Sequence, residues 1–365
     1  FSGTHGVRGN ADGSGDLTPK YNLLVDDAFP PLKAANTVVE KTLVTGKALD
    51  NTVSITQVTS KPDSVVVPLV FNAHNLSSFL RLFFQDGVTW ADGVTNSALE
   101  VQTNVPYSSA CPVVYGNLVR FKQDTADTDD IDQVLHGVVP SRILIRGEEG
   151  GLIEGEVEFL GAKWEDYDLS SSLTTAEGFD TTAPLKFEDL TIKIAKGAEA
   201  AATISVPAFE IVFENDLVHQ YYNETSAQQV SMGRMRMTGN LTIPFNDAYT
   251  VQSSEHEIIT NFRNGTMLRL SLVWGANGFT LFSLNDTSLA ASKNGVDVLT
   301  ANAKNSIVNN YLGIHALVRI LDYDETEIDL NPMVPIDFKA LEDDNSTVSG
   351  VSVYCGYDKS KNTWQ

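Results

Sequence analysis

Histidines, carboxylates and arginines are the side chains from which any chemistry in this chain would come, and their spacing can be tested against each chemistry in turn. His256-Glu257-Ile258-Ile259-Thr260 begins like the helix that binds zinc in metalloproteases. That chemistry needs a second histidine one helical turn later, where Thr260 stands. A single imidazole does not hold the metal, so His256 reads as a surface helix residue. His5, His74, His136, His219 and His315 are scattered without ligand spacing. Asn10, Asp12, Ser14 and Asp16 alternate around Gly13 and Gly15 like the start of a calcium loop, but Tyr21 occupies the place of the bidentate glutamate. Asp, Asn, Ser and Gly are also the preferred turn formers, so a turn-rich segment is the better reading.

The hydrolytic and nucleotide chemistries fare no better. The chain has no GxSxG elbow, no GxxxxGK[ST] loop and no GxGxxG between a strand and a helix. Glycosidase carboxylates face each other across a cleft at roughly 5 to 9.5 Å, whereas Glu148 and Glu149, or Asp343 and Asp344, are chain neighbours suited to solvated turns. Cys111 and Cys355 lie far apart with no CxxC and are read as reduced thiols. No metal, cofactor or catalytic residue is expected. In Met232 to Met237, strand alternation puts Met235 and Met237 on one face and Arg234 and Arg236 on the other. The arginines are candidates to pair with acidic residues of a neighbouring subunit and fix its register.

The elements that would carry these residues are mostly strands. The 365 residues are 42% hydrophobic, enough for one large or two medium domains. Acidic residues number 47 against 25 basic, a formal charge of -22, which opposes nonspecific attraction to nucleic acid phosphates. No apolar run approaches the roughly 20 residues that span a bilayer and no signal segment opens the sequence, so neither membrane insertion nor export is expected. Period-two alternation dominates: Leu190, Ile192 and Ile194; Phe209, Ile211 and Phe213; Leu268, Leu270 and Leu272. It predicts antiparallel strands with one wetter face.

Two segments have helical spacing. Leu76, Phe79, Leu80 and Phe83 form one stripe, with Asn75 as cap and Gly87 as left-handed stop. Ile258, Ile259 and Phe262 form the other, capped by Ser253 or Ser254 and ended by Gly265. Pro68 to Ala73 precedes the first as Pro244 to Ala248 precedes the second, and Gly137 to Arg146 can be set against Gly313 to Leu321. A diverged duplication is therefore inferred. The division is an N-terminal arm at 1–35, a first β domain at 36–170, a linker at 171–184 and a second β domain with its tail at 185–365. The acidic stretch Gln123 to Gln133 is expected to be a solvent-exposed loop.

Leu17-Thr18-Pro19-Lys20-Tyr21 after the Gly/Asp-rich opening, the unit from Leu69 to Phe84, Val139 to Ile145 running into Gly155 to Gly161, and Met237 to Phe245 together resemble the phage major tail tube proteins of the siphophage type. The resemblance spans most of the chain as a pattern without a diagnostic motif. It implies a mainly β fold of two sandwich or barrel units, each flanked by one short helix, in a virion protein assembled in the host cytoplasm. Its implied partners are further copies of itself, as trimeric or hexameric rings stacked into a tube, with tape measure, tail tip or baseplate, and tail terminator proteins. DNA would pass through an acidic lumen without specific binding, since a negative wall repels phosphates. Segments that order on assembly place Asp12, Asp16, Lys20, Tyr21, Asp127 and Asp129, with Arg234 and Arg236, among the candidate inter-subunit contacts. Two other readings stay open: another virion β-protein of baseplate, fibre or capsid surface, and a secreted carbohydrate-binding β-sandwich, for which Asn223-Glu224-Thr225 and Asn264-Gly265-Thr266 would be glycosylation sequons.

Overall fold

A computed structural model describes residues 2–5, 34–44, 52–62, 64–91, 99–106, 114–120, 132–167, 183–196, 202–220, 229–244, 264–274, 311–323, 333–341 and 351–358. In chain order the strands are β1 (Ser2–His5), β2 (Ala34–Val44), β3 (Thr52–Pro62), β4 (Val65–Val70), β5 (Gln85–Ala91), β6 (Leu99–Pro106), β7 (Val114–Arg120), β8 (Asp132–Glu148), β9 (Glu154–Leu160), β10 (Lys163–Tyr167), β11 (Leu190–Lys196), β12 (Ala202–Ile204), β13 (Ala208–Gln220), β14 (Gln229–Pro244), β15 (Leu268–Trp274), β16 (Tyr311–Tyr323), β17 (Met333–Ala340) and β18 (Val351–Asp358). Between β4 and β5 lies a single α-helix among the described residues, α1 (Ala73–Phe84). The protein is mainly β, and sixteen of its strands join in one antiparallel, branched and open sheet. The other two, β2 and β3, make a separate hairpin in an 11-residue antiparallel register.

One order of pairing occurs twice. In the first half β4 lies on β9, β9 on β8, and β8 on β7. In the second, β14 lies on β17, β17 on β16, and β16 on β15. After β9 the chain runs on as β10 along the same edge of β8, and after β17 it continues in the same direction as β18 along the same edge of β16. The outer neighbours β1 on β7 and β11 on β15 complete the parallel. The halves then meet edge to edge, because β13 pairs through Ala208 to Glu214 with Arg142 to Glu148 of β8.

This join gives the molecule a shared core. Phe213 of β13 sits between Phe83 and Phe84 of α1, with ring centroids 6.0 and 5.6 Å away. Phe79 packs edge-on against Phe159 of β9 at 5.7 Å. Where the second half begins, Leu185 donates its N–H to the Phe71 carbonyl and accepts from Ile153 N–H. The expected linker at 171–184 lies outside the described residues save for its last two, and the sheet passes from one half to the other without a break in pairing.

Helix α1 follows its expected stripe but is wrapped further. Besides Leu76, Phe79, Leu80 and Phe83, the off-stripe Leu82 and Phe84 are buried, because the helix lies against β8 and β7 as well as β5, β6 and β18. Its expected caps shift by a few residues. Asn72 is the N-cap, and Asn75 stands three residues in as its reciprocal partner. The Asn75 N–H donates to Asn72 Oδ1 at 2.7 Å, and the Asn72 N–H to Asn75 Oδ1 at 3.0 Å, satisfying two N–H groups that a helix start leaves open. The left-handed stop is Gln85, at φ 62°, with its side-chain amide donating to the Leu82 carbonyl. Gly87 is instead paired in β5 opposite Asn104.

Other expectations move as well. The alternating segments form β11, β13 and β15, but β15 has no wet face: Arg269 and Ser271 are buried along with Leu268, Leu270 and Leu272. The arm begins with a strand, Ser2–His5, held by β7 of the same chain, and its last two residues belong to β2. Asp132 and Gln133 close the expected acidic loop as strand, because Tyr167 and Asp166 of β10 pair with them. The second expected helix lies outside the described residues, although Gly265 at its predicted end does adopt a positive φ of 63°.

Candidate assembly surface

The sheet around the β8–β13 join buries one face and leaves the other polar. On β9, Gly155, Val157 and Phe159 point into the core while Glu154, Glu156 and Glu158 are half-buried on the opposite face. Gly155 has a steric reason: a Cβ there would stand 1.8 Å from the Leu144 carbonyl oxygen and 2.8 Å from the Phe71 ring. Strand pairing sets Glu158 beside Arg142, Arg142 beside Glu214, and Glu214 beside Arg236. A second row runs from Glu154 through Arg146, Glu210 and Asn240 to Asp337.

Charges of alternating sign therefore tile this face. Arg142 reaches Glu156 at 3.9 Å and Glu214 at 3.8 Å. Asn240 donates to Asp337 at 2.7 Å. These groups are a third or more exposed, so each pair adds little stability and the tiling mainly fixes register.

Two sequence-predicted contacts are visible here. Met237 is buried, Met235 packs against the core, and Arg234 and Arg236 are exposed, as the alternation implies. Met232 is also buried because a β-bulge intervenes, the register stepping from Asn215 opposite Met235 to Leu217 opposite Met232. Gly233 permits that bulge, since a Cβ there would lie 2.4 Å from the Asp216 carbonyl oxygen. Arg236 finds its acidic partner within the chain: it bonds Asp216 at 3.0 Å. An intersubunit ion pair for Arg236 would have to compete with that contact. Arg236→Ala is expected to change the unfolding free energy by less than about 1 kcal/mol, checked by urea denaturation. A larger loss would show that the pair does more than hold the bulge.

Asp12, Asp16, Lys20, Tyr21, Asp127 and Asp129 lie outside the described residues, as do His256, Cys111 and the calcium-like stretch. Cys355 is a buried free thiol on β18, and burial pushes its pKa up, which keeps it neutral and unreactive. Glu148 and Glu149 are exposed at the β8–β9 turn beside Gly150. Among the described residues no group of three or more His, Cys, Asp or Glu is placed to hold a metal ion, and no helix is long and apolar enough to cross a membrane. Trp274 is fully buried and Trp164 packs against the core, so neither offers the open aromatic surface on which a sugar stacks.

Pairing across strands brings together a feature that sequence reasoning missed. Ile143 on β8 and Ile320 on β16 stand in like sequences, each buried and each paired to the neighbouring strand, at Val157 and Phe338, although Ile143 follows the bulge of its strand at Ser141 and Ile320 precedes that of β16 at Leu321. The next residues, Leu144 and Leu321, share a type and differ in environment. Leu144 is 6% exposed against Val212 of β13, and Leu321 is 52% exposed. The alignment of Arg142-Ile143-Leu144 with Arg319-Ile320-Leu321 carried the signal, but only the β8–β13 join shows its meaning. Comparison with protein-family models and with curated proteins found no match to this chain.

Proposed function

We propose that this chain is a structural subunit that assembles with copies of itself into rings, stacked as a phage tail tube through which DNA passes. The observation that carries the reading is the recurrent order β4–β9–β8–β7 and β14–β17–β16–β15, with the two sets joined edge to edge through β8 and β13. Two like units side by side, descended from one by duplication, are the beginning of a ring of alternating units, and identical chains continue it by repeating the same join. Trimeric rings of such chains would carry six units.

The polar face agrees with a channel role. Along its strand rows Glu154, Glu156, Glu158, Glu210, Glu214 and Asp337 stand with Arg142, Arg146, Arg236, Lys339 and Arg319, a slight acidic excess, and the chain carries -22 overall. Such a wall repels phosphate and lets DNA slide. Catalysis is no part of this reading, and the virion is its setting, with tape measure, tail tip and terminator proteins as further partners.

Negative-stain microscopy of the purified full chain, alone and seeded with tail tips, tests the proposal. Hollow cylinders of uniform width are the expected result. Particles that stay monomeric under both conditions would overturn it.

A further inference from the structure

We infer that the edge of β16 from Arg319 to Tyr323 is the docking site for the β2–β3 hairpin of a second copy, reproducing between chains the β8–β13 join seen within one. This rests on the ring-forming reading above and specifies which edges mate.

The argument starts from what flanks the two long strands. On one side, β8 carries β9 and β10, and β16 carries β17 and β18. On the other side, the first part of β8 carries β7 and the first part of β16 carries β15, whose pairing ends at Val318. Beyond that point β8 receives β13 along Arg142 to Glu148. Beyond Val318, no described strand lies on the corresponding side of β16. A strand edge left in that condition is a template for pairing with another chain.

The side chains mark the same place. Leu144 is paired with Val212 of the docked β13 and is 6% exposed, while Leu321, the bulge residue between Ile320 and Asp322 on the open stretch of β16, is 52% exposed. An apolar side chain at an open edge is the element that natural edges usually replace with charge, so its presence argues for a partner that covers it.

The occupant follows from chain order. The strand that docks on β8 is the first strand of the β13–β14 hairpin, and β14 then pairs with β17. In the first half β3 ends at Pro62 and β4 begins at Val65, so the two together match the long β14, and β2 matches β13; the β2–β3 hairpin pairs with no other described strand. One hairpin is thus used within the chain and its counterpart is left over, as is one long-strand edge. Joining them between chains gives a head-to-tail contact, which closes into a ring when the rotation allows.

The test uses the full chain with Leu321→Cys carrying a benzophenone maleimide, mixed half and half as isotopically heavy and light protein and then irradiated. Heavy–light adducts between position 321 and peptides of the β2–β3 hairpin are expected, together with a ladder of covalent oligomers. Leu321→Lys, which changes only an exposed side chain, is expected to raise the subunit concentration for half-assembly by about tenfold. If cylinders form while position 321 yields no interchain adduct and Leu321→Lys assembles as the parent does, the edge assignment is wrong and the tube reading stands. If neither cylinders nor interchain adducts appear at any concentration or with tail-tip seeds, both are wrong.

Discussion

Phe213→Ala is expected to lower the unfolding free energy by about 3–5 kcal/mol, the range for removing a buried phenylalanine ring from a packed core. The residue is 1% exposed and belongs to the second half of the chain, yet its ring contacts Phe83 and Phe84 of the helix in the first half. Deleting it opens a cavity at the seam where β13 joins β8. Urea unfolding followed by tryptophan fluorescence reports both halves, because Trp164 lies in the first and Trp274 in the second. One cooperative transition, displaced to lower denaturant, is the expected outcome. Two separate transitions of which only one moves would show that the halves fold as independent bodies and that the shared core is not cooperative.

Acidification is expected to destabilise the fold through His315. Burial pushes the pKa of this imidazole down to about 3. Its Nδ1 lies 2.9 Å from the Ser271 hydroxyl, and the strand positions in register with it carry Ser271, Ser352 and, one strand further, Lys193. No carboxylate stands in that row to compensate an imidazolium. In the unfolded chain the group titrates near 6.5, so between about pH 6.5 and 3 the unfolded state binds the extra proton. Stability is therefore fully present above pH 6.5 and is lost as pH falls through that window, by up to about 1.4 kcal/mol per pH unit and a few kcal/mol in total. His315→Asn, which keeps a hydrogen-bonding group for Ser271, should flatten the pH dependence of the urea midpoint between pH 4 and 6. An unchanged slope would assign the acid sensitivity to other groups.

Much of the local structure was legible in the sequence. Leu76, Phe79, Leu80 and Phe83 announce a helix because 3.6-residue spacing has one simple meaning over 12 residues. The alternation at 190–194, 209–213 and 268–272 announces strands in the same way. The caps were harder. Asn72 and Asn75 are both good cap residues, and the choice between them depends on where the buried strand β4 releases the chain. Gln85 in a left-handed conformation has no sequence signature, since it is held there by a hydrogen bond from its side-chain amide to the Leu82 carbonyl that only the folded helix end provides. The buried face of β15 was likewise illegible, because Arg269 and Ser271 look like the exposed half of an alternating strand until β16 and its His315 cover them.

Residue type and order by themselves determined that this is a β-rich acidic chain with an apolar helix near its start, because periodicity and charge are local properties. The likeness of Arg142-Ile143-Leu144 to Arg319-Ile320-Leu321 was also present there. Only tertiary structure decided that one of these leucines is closed over and the other open, since burial at a strand edge depends on which distant strand comes to lie beside it. That pairing spans a sequence separation that no local pattern encodes, and it turns two similar segments into an occupied edge and one on which no described strand lies.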